Sequence, residues 1–94
     1  MVGKKVYRVD IDESVLRYLS RLPQKIQRQI AKKIDSLAVN PRPQDTKLLR
    51  GQKDLYRIRS GDYRILYTIY EDEVYVYVIG IGHRKDVYRK LLGR

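Results

Sequence analysis

The sequence predicts an α+β fold: a helical hairpin packed on one face of a four-stranded, mainly antiparallel sheet, in the order β-α-α-β-β-β-α. Two observations predict it. Apolar residues recur at helical spacing from Val15 to Leu37, and from Leu55 onward the period switches to two. Turn residues then punctuate the second half at Gly61-Asp62 and Asp72-Glu73. Two helices followed by strands with one apolar face give a helix-on-sheet sandwich. At 94 residues the chain is expected to form a single domain spanning residues 1–94, with a core that is feasible but thin.

Each element has its own signal. Lys5 to Val9 alternates and reads as a first strand. Asp12 can cap a helix by accepting from backbone N–H groups of the next turn. Val15, Leu16, Leu19 and Leu22 form that helix's apolar stripe. Pro23 suits the first turn of a second helix, where no N–H is needed. Ile26, Ile30, Ile34 and Leu37 follow at helical spacing, with Lys25, Arg28, Lys32 and Lys33 on the wet side. Asn40 and Pro41 end it. Residues 40–54 read as a polar, basic loop containing Pro41, Pro43 and Gly51. Three strands follow, Leu55 to Ser60, Tyr63 to Tyr70 and Val74 to Gly82. A basic tail from Arg84 to Leu92 reads as a last helix, through Val87, Tyr88, Leu91 and Leu92.

Composition narrows the partners. Lys and Arg total 21 against 11 Asp and Glu, a net charge of +10, which points to an anionic partner such as nucleic acid. The absence of cysteine rules out disulfides, thiolate chemistry and zinc knuckles, and His83 is the lone histidine. No metal and no cofactor are expected. No apolar run approaches the roughly 20 residues of a membrane span, and the N-terminus lacks the apolar core of a signal peptide. A cytoplasmic protein without a membrane partner is the expectation.

The strand pattern sorts charge from core. If Gly61 and Asp62 are the central residues of a tight type II′ hairpin, residue 59 faces 64. Arg57, Arg59, Arg64 and Leu66 then share one face, and Tyr56, Ile58, Ile65, Tyr67 and Ile69 the other. The same logic at Asp72-Glu73 pairs 69 with 76 and 64 with 81. It places Val74, Val76 and Val78 on the core face, and Tyr75, Tyr77, Ile81 and His83 with the arginines. Three clustered arginines repel one another unless an anion sits between them, so the cluster suggests binding rather than stability. Guanidinium forks match phosphate as lysine does not. Tyr7, Tyr56 and Tyr67 are read as sheet-packing residues. Tyr88, among the cations of the tail, suits stacking on a single-stranded base.

Four stretches together carry a resemblance: Lys47-Leu48-Leu49-Arg50-Gly51, Leu55-Tyr56-Arg57-Ile58-Arg59, Asp62-Tyr63-Arg64-Ile65-Leu66-Tyr67 and Gly82-His83-Arg84-Lys85-Asp86-Val87-Tyr88. The sequence resembles the RelE/ParE superfamily of toxin–antitoxin toxins over nearly its whole length. The resemblance implies a ribosome-dependent endoribonuclease that cleaves mRNA in the decoding site. The 2′-hydroxyl would attack the adjacent phosphate and leave a 2′,3′-cyclic phosphate and a 5′-hydroxyl. The family's basic residues match Arg57, Arg59, Arg64 and Arg84 here, and its stacking tyrosine matches Tyr88.

Family members often carry lysine where this chain has Arg57 and Arg59, and an arginine stays protonated, so the general base is not assigned. Arginines can stabilise the phosphorane, and His83 is the side chain suited to acid or base work near neutrality. Lys47, Arg50 and Lys53 of the basic loop and Lys85 of the tail are expected to add phosphate contacts. The implied partners are the ribosome, mRNA and an acidic, RelB-like antitoxin. A ParE-like toxin that poisons gyrase and a non-catalytic RNA-binding module are the alternatives.

Overall fold

In the computed structural model, residues 5–49 and 54–87 are described. Seven elements follow in chain order: β1 (Arg8–Ile11), α1 (Glu13–Ser20), α2 (Gln24–Ser36), β2 (Lys47–Leu48), β3 (Leu55–Ser60), β4 (Tyr63–Tyr70) and β5 (Tyr75–His83). They form one sheet in the order β1-β5-β4-β3-β2, antiparallel except for β1, which runs parallel to β5.

The helix-on-sheet class stands, but the expected four strands become five. Lys47–Leu48 lies within the expected loop, yet pairs with Arg57 and Tyr56 as a two-residue edge strand too short to show a period. The first strand runs from Arg8 rather than Lys5, because its partner on β5 begins at Tyr75. In the expected last helix, residues 84–86 form turns and the stretch beyond Val87 lies outside the described residues.

Local chemistry explains α1. The Asp12 carboxylate accepts from the Ser14 backbone N–H at 3.0 Å, and Glu13 in the first turn favours the positive helix end. Val15 and Leu19 are buried, but Leu16, expected on the stripe, is 50% exposed. One residue advances the helix by 100°, which carries Leu16 off the face that Val15 holds against the sheet. Pro23 is the N-cap of α2, one position before the expected site, and its carbonyl accepts from Gln27 N–H at 2.9 Å. The helix stops at Ser36, ahead of Asn40.

The main core lies between the helices and one sheet face. Ile30, Ile34 and Leu37 meet Ile58, Ile65, Tyr67, Val76 and Val78, all essentially fully buried. Each aliphatic side chain so buried contributes about 1.5–3 kcal/mol. The Tyr67 hydroxyl donates to the Pro41 carbonyl at 2.7 Å and lies 3.2 Å from Thr46 Oγ1. Burial pushes this phenol up to about 12. Tyr67 thereby holds the loop after α2 onto the sheet. From that loop Arg42 reaches across the Tyr56 ring to Glu71 at 2.5 Å. No helix among the described residues is long and apolar enough to cross a membrane.

Candidate functional site

The Gly61-Asp62 hairpin sets the site. Gly61 has φ +59° and Asp62 is not in the positive-φ region, the pattern of a type II′ turn. Ser60 faces Tyr63, Arg59 faces Arg64 and Arg57 faces Leu66. Arg57, Arg59, Arg64 and Leu66 therefore share the face opposite the helices. Lys47 pairs with Arg57, and residues directly opposite share a face, so a fourth cation joins from β2.

From Tyr67 to Tyr70 the pairing with β5 is as expected, with Ile69 opposite Val76, but in the first half of β4 the register departs from expectation. Residues 71–74 form a four-residue turn, and Val74, expected in the strand, sits in it at φ +50°. That value is rare for a β-branched residue. Tyr67 faces Val78, but Leu66 faces Gly80, so Ile79 is an extra residue bulged out of β5. Every residue after it changes face relative to the expected pairing.

Arg64 faces Gly82 rather than Ile81. Ile81 belongs to the main core. His83, expected beside the arginines, faces Tyr63 on the helix side, its ring 5.8 Å from the Tyr63 ring. Its Nδ1 accepts from Lys85 N–H at 3.3 Å.

The bulge leaves Gly80 and Gly82 where bulkier residues were expected, and the tail uses the space. Val87 is fully buried in a second, small core with Leu55 and Leu66, flanked by Leu49, on the arginine face. A Cβ on Gly82 would lie 3.0 Å from Val87 Cβ and 3.1 Å from its Cα. Sequence reasoning missed this contact; glycine in a strand, as at Gly80 and Gly82, is the signal for a bulge or a close approach. Arg84 and Lys85 are exposed in the turn between His83 and Val87. Arg84 N–H donates to the Asp62 carbonyl at 2.7 Å, fixing the turn against the hairpin. Arg50, Lys53 and Tyr88 lie outside the described residues.

The rest of this face differs in character. Arg64 Nη1 donates to the Gly61 and Tyr63 carbonyls at 3.1 and 3.2 Å, which draws it toward the hairpin. At the opposite end Tyr70, Tyr75 and Tyr77 stack in a row. Tyr75 donates to Asp10 at 3.0 Å and Tyr77 donates to Asp12. Hydrogen bonds from Ser14 and Tyr77 hold Asp12 at about 2, and the same bond to Asp12 pushes Tyr77 up to about 12. At the tyrosine end Asp10 and Asp12 are thus present, and Arg8, over the Tyr75 ring, is already paired with Asp10. At the hairpin end Arg59 stands opposite Arg64, with the Asp62 carboxylate 3.9 Å from Arg84.

Comparison with known proteins agrees with this architecture. The profile of the family described as "ParE toxin of type II toxin-antitoxin system, parDE" matches residues 8–88. The "mRNA interferase toxin RelE" of Escherichia coli strain K12 is 35% identical over 92 residues, covering 94% of this chain and 96% of the relative. The archaeal RelE-RelB complex from Pyrococcus horikoshii OT3 contains a chain that superposes with a TM-score of 0.77 at 31% identity, covering 87% of this chain and 99% of that one. The isolated E. coli RelE toxin superposes with a TM-score of 0.70 at 34% identity, over 94% of this chain and 97% of that chain.

Proposed function

The chain belongs to the RelE/ParE superfamily of toxins of type II toxin–antitoxin systems, and we propose that it is a ribosome-dependent endoribonuclease that cleaves mRNA in the decoding site. The whole chain acts as one toxin domain, in the cytoplasm where translation proceeds. The observation that carries the reading is the β2-β3-β4 register, which puts Lys47, Arg57, Arg59 and Arg64 on one face.

In the proposed reaction the 2′-oxygen attacks the neighbouring phosphorus and the 5′-oxygen leaves. The products are a 2′,3′-cyclic phosphate and a 5′-hydroxyl, with one proton lost from the 2′-hydroxyl and one gained by the leaving oxygen. Arg57, Arg59 and Arg64 stabilise the charge on the phosphorane, a role typically worth about 10²–10³ in rate per donor. This chemistry calls for no metal. Arg84, in the turn pinned to Asp62, and Lys85 hold the flanking phosphates with Lys47, Arg50 and Lys53. Tyr88 follows the anchored Val87 and stacks on a base. His83 orders the turn from the helix side and does not touch the RNA.

The partner in the resting state is an acidic, RelB-like antitoxin. The solved P. horikoshii relative is itself a RelE-RelB complex, and such a partner neutralises the arginine face.

Primer extension on translating ribosomes tests the reading. Wild-type protein should give cuts in the decoding site, Arg64→Ala should lose about 10²-fold or more, and His83→Ala should lose less than about tenfold. Gyrase-dependent DNA breaks without RNA cuts would replace this reading with the gyrase-poisoning one. Absence of both would leave an RNA-binding module.

A further inference from the structure

Helix α1 is built for stability: Asp12 caps it, Glu13 opens it, and Arg17 in the last turn lies 3.7 Å from Glu13. Helix α2 is not. Its N-cap Pro23 makes no side-chain cap hydrogen bond, no acid stands in its first turn, and Lys25 occupies that turn against the helix dipole. Lys25, Arg28 and Lys32 are all exposed. They stand at i, i+3 and i+7 on the side turned away from buried Ile30 and Ile34. No ion pair reaches any of the three among the described residues, although Lys33 beside them pairs with Asp45 at 3.2 Å. Like charges at these spacings weaken a helix. Lys25 therefore opposes the helix dipole, and Arg28 adds a like charge within reach of both Lys25 and Lys32.

We propose that Lys25, Arg28 and Lys32 form a second phosphate track that grips the backbone of a folded RNA on the side opposite the arginine face. The three cations are separated by about 4.5 and 6 Å of helix rise, comparable with the spacing of successive phosphates on one strand. Ala31 keeps the surface between them low, in a shallow depression of about 540 Å³ that Gln29 and Asp35 also line. The helices cover one side of the sheet and the arginines the other, so the protein presents positive charge on both broad faces of a body 24 Å thick along its shortest axis. One face takes the strand to be cut. The other holds structured RNA, which a backbone reader recognises by charge and not by sequence.

The test compares wild type with the triple variant Lys25→Gln, Arg28→Gln, Lys32→Gln. Binding to a 20-base-pair RNA duplex and to purified ribosomes is measured from 50 to 300 mM KCl, after circular dichroism has verified folding. The variant's log K against log salt slope should be shallower by about 2–3, and its affinity at 100 mM KCl at least about tenfold weaker. Cleavage at saturating protein should be unchanged. An unchanged slope overturns the proposal. So does intact duplex binding with loss of antitoxin capture, which would assign the stripe to a protein partner. Should wild type fail to cut RNA, the proposed function falls while the slope comparison still decides this one.

Discussion

Replacing Gly82 with alanine tests the packing that carries the tail across the arginine face. The added methyl would lie 3.0 Å from Val87 Cβ, 3.1 Å from Cα and 3.3 Å from Cγ2, where carbon atoms prefer about 3.5–4.0 Å. Rotation about χ1 relieves only the Cγ2 contact, because Cα and Cβ do not move with it. The turn from Arg84 to Asp86 must shift instead. Overpacking of this kind costs about 1–3 kcal/mol, and the ceiling is the full loss of Val87 burial, about 1.5–3 kcal/mol. In a domain of this size that is a fall in Tm of about 5–20 °C. Calorimetry gives the global loss, and hydrogen exchange at the Asp86 amide, bonded to the His83 carbonyl at 2.8 Å, reports local undocking. Combining Gly82→Ala with Val87→Gly should recover at least about 0.5 kcal/mol relative to additivity, since space is returned where it was taken. A Gly82→Ala protein with wild-type Tm and unchanged exchange at Asp86 would refute the packing.

Further outcomes follow from the fold. Asp12→Asn keeps a capping oxygen but removes the charge; the native carboxyl is held at about 2 against an ordinary 3.8. Its contribution is thus complete above about pH 4 and lost as pH falls toward 2, and the Asn variant's stability should vary less with pH over that range in urea titrations. Tyr67→Phe removes the proton donated to the Pro41 carbonyl and should cost about 1–2 kcal/mol by denaturant unfolding. Deleting Ile79 should be tolerated within about 1–2 kcal/mol, because Val78, Gly80 and Ile81 then pair in regular register with Tyr67, Leu66 and Ile65 and Ile81 stays in the core. Ile79→Ala should stay within about 1 kcal/mol, since it trims a side chain that is 36% exposed. A deletion costing several times more than the substitution would count against the bulge.

What the sequence disclosed depended on how local each signal was. The arginine face was legible because one short turn, with glycine first, fixes the β3-β4 register outright, and three arginines then fall together. The Asp12 cap and the Ile30-Ile34-Leu37 stripe were legible for the same reason. His83 was misplaced because its face depends on the count of residues all the way from the turn. The turn at 71–74 keeps the expected pairing of 69 with 76, and it is the extra Ile79 that shifts the count. β2 escaped because two residues carry no period, and its pairing is decided by Arg57 and Tyr56 some ten positions away. Leu16 shows the converse: it fits an apolar template by type, yet packing chose Val15 and Leu19 and left it outside.

The bulge is also what gives the site room. With regular pairing, Ile81 and His83 would stand on the arginine face beside Arg64, and the imidazole would contest the space the tail now fills. Leaving Ile79 unpaired as a bulge turns those side chains toward the helices, where Ile81 adds to the core and His83 packs on Tyr63. It presents Gly80 and Gly82 in their place. A strand floor without side chains lets Val87 lie flat against Leu55 and Leu66. The cationic hairpin end needs no such device, because the Gly61-Asp62 turn alone brings Arg59 opposite Arg64. Charge placement and tail placement are thus separate inventions of the same face. A variant can lose either one while keeping the other, which is why Arg64→Ala and Gly82→Ala should impair cleavage by distinguishable routes: the first at unchanged tail protection, the second with the guanidiniums still in place.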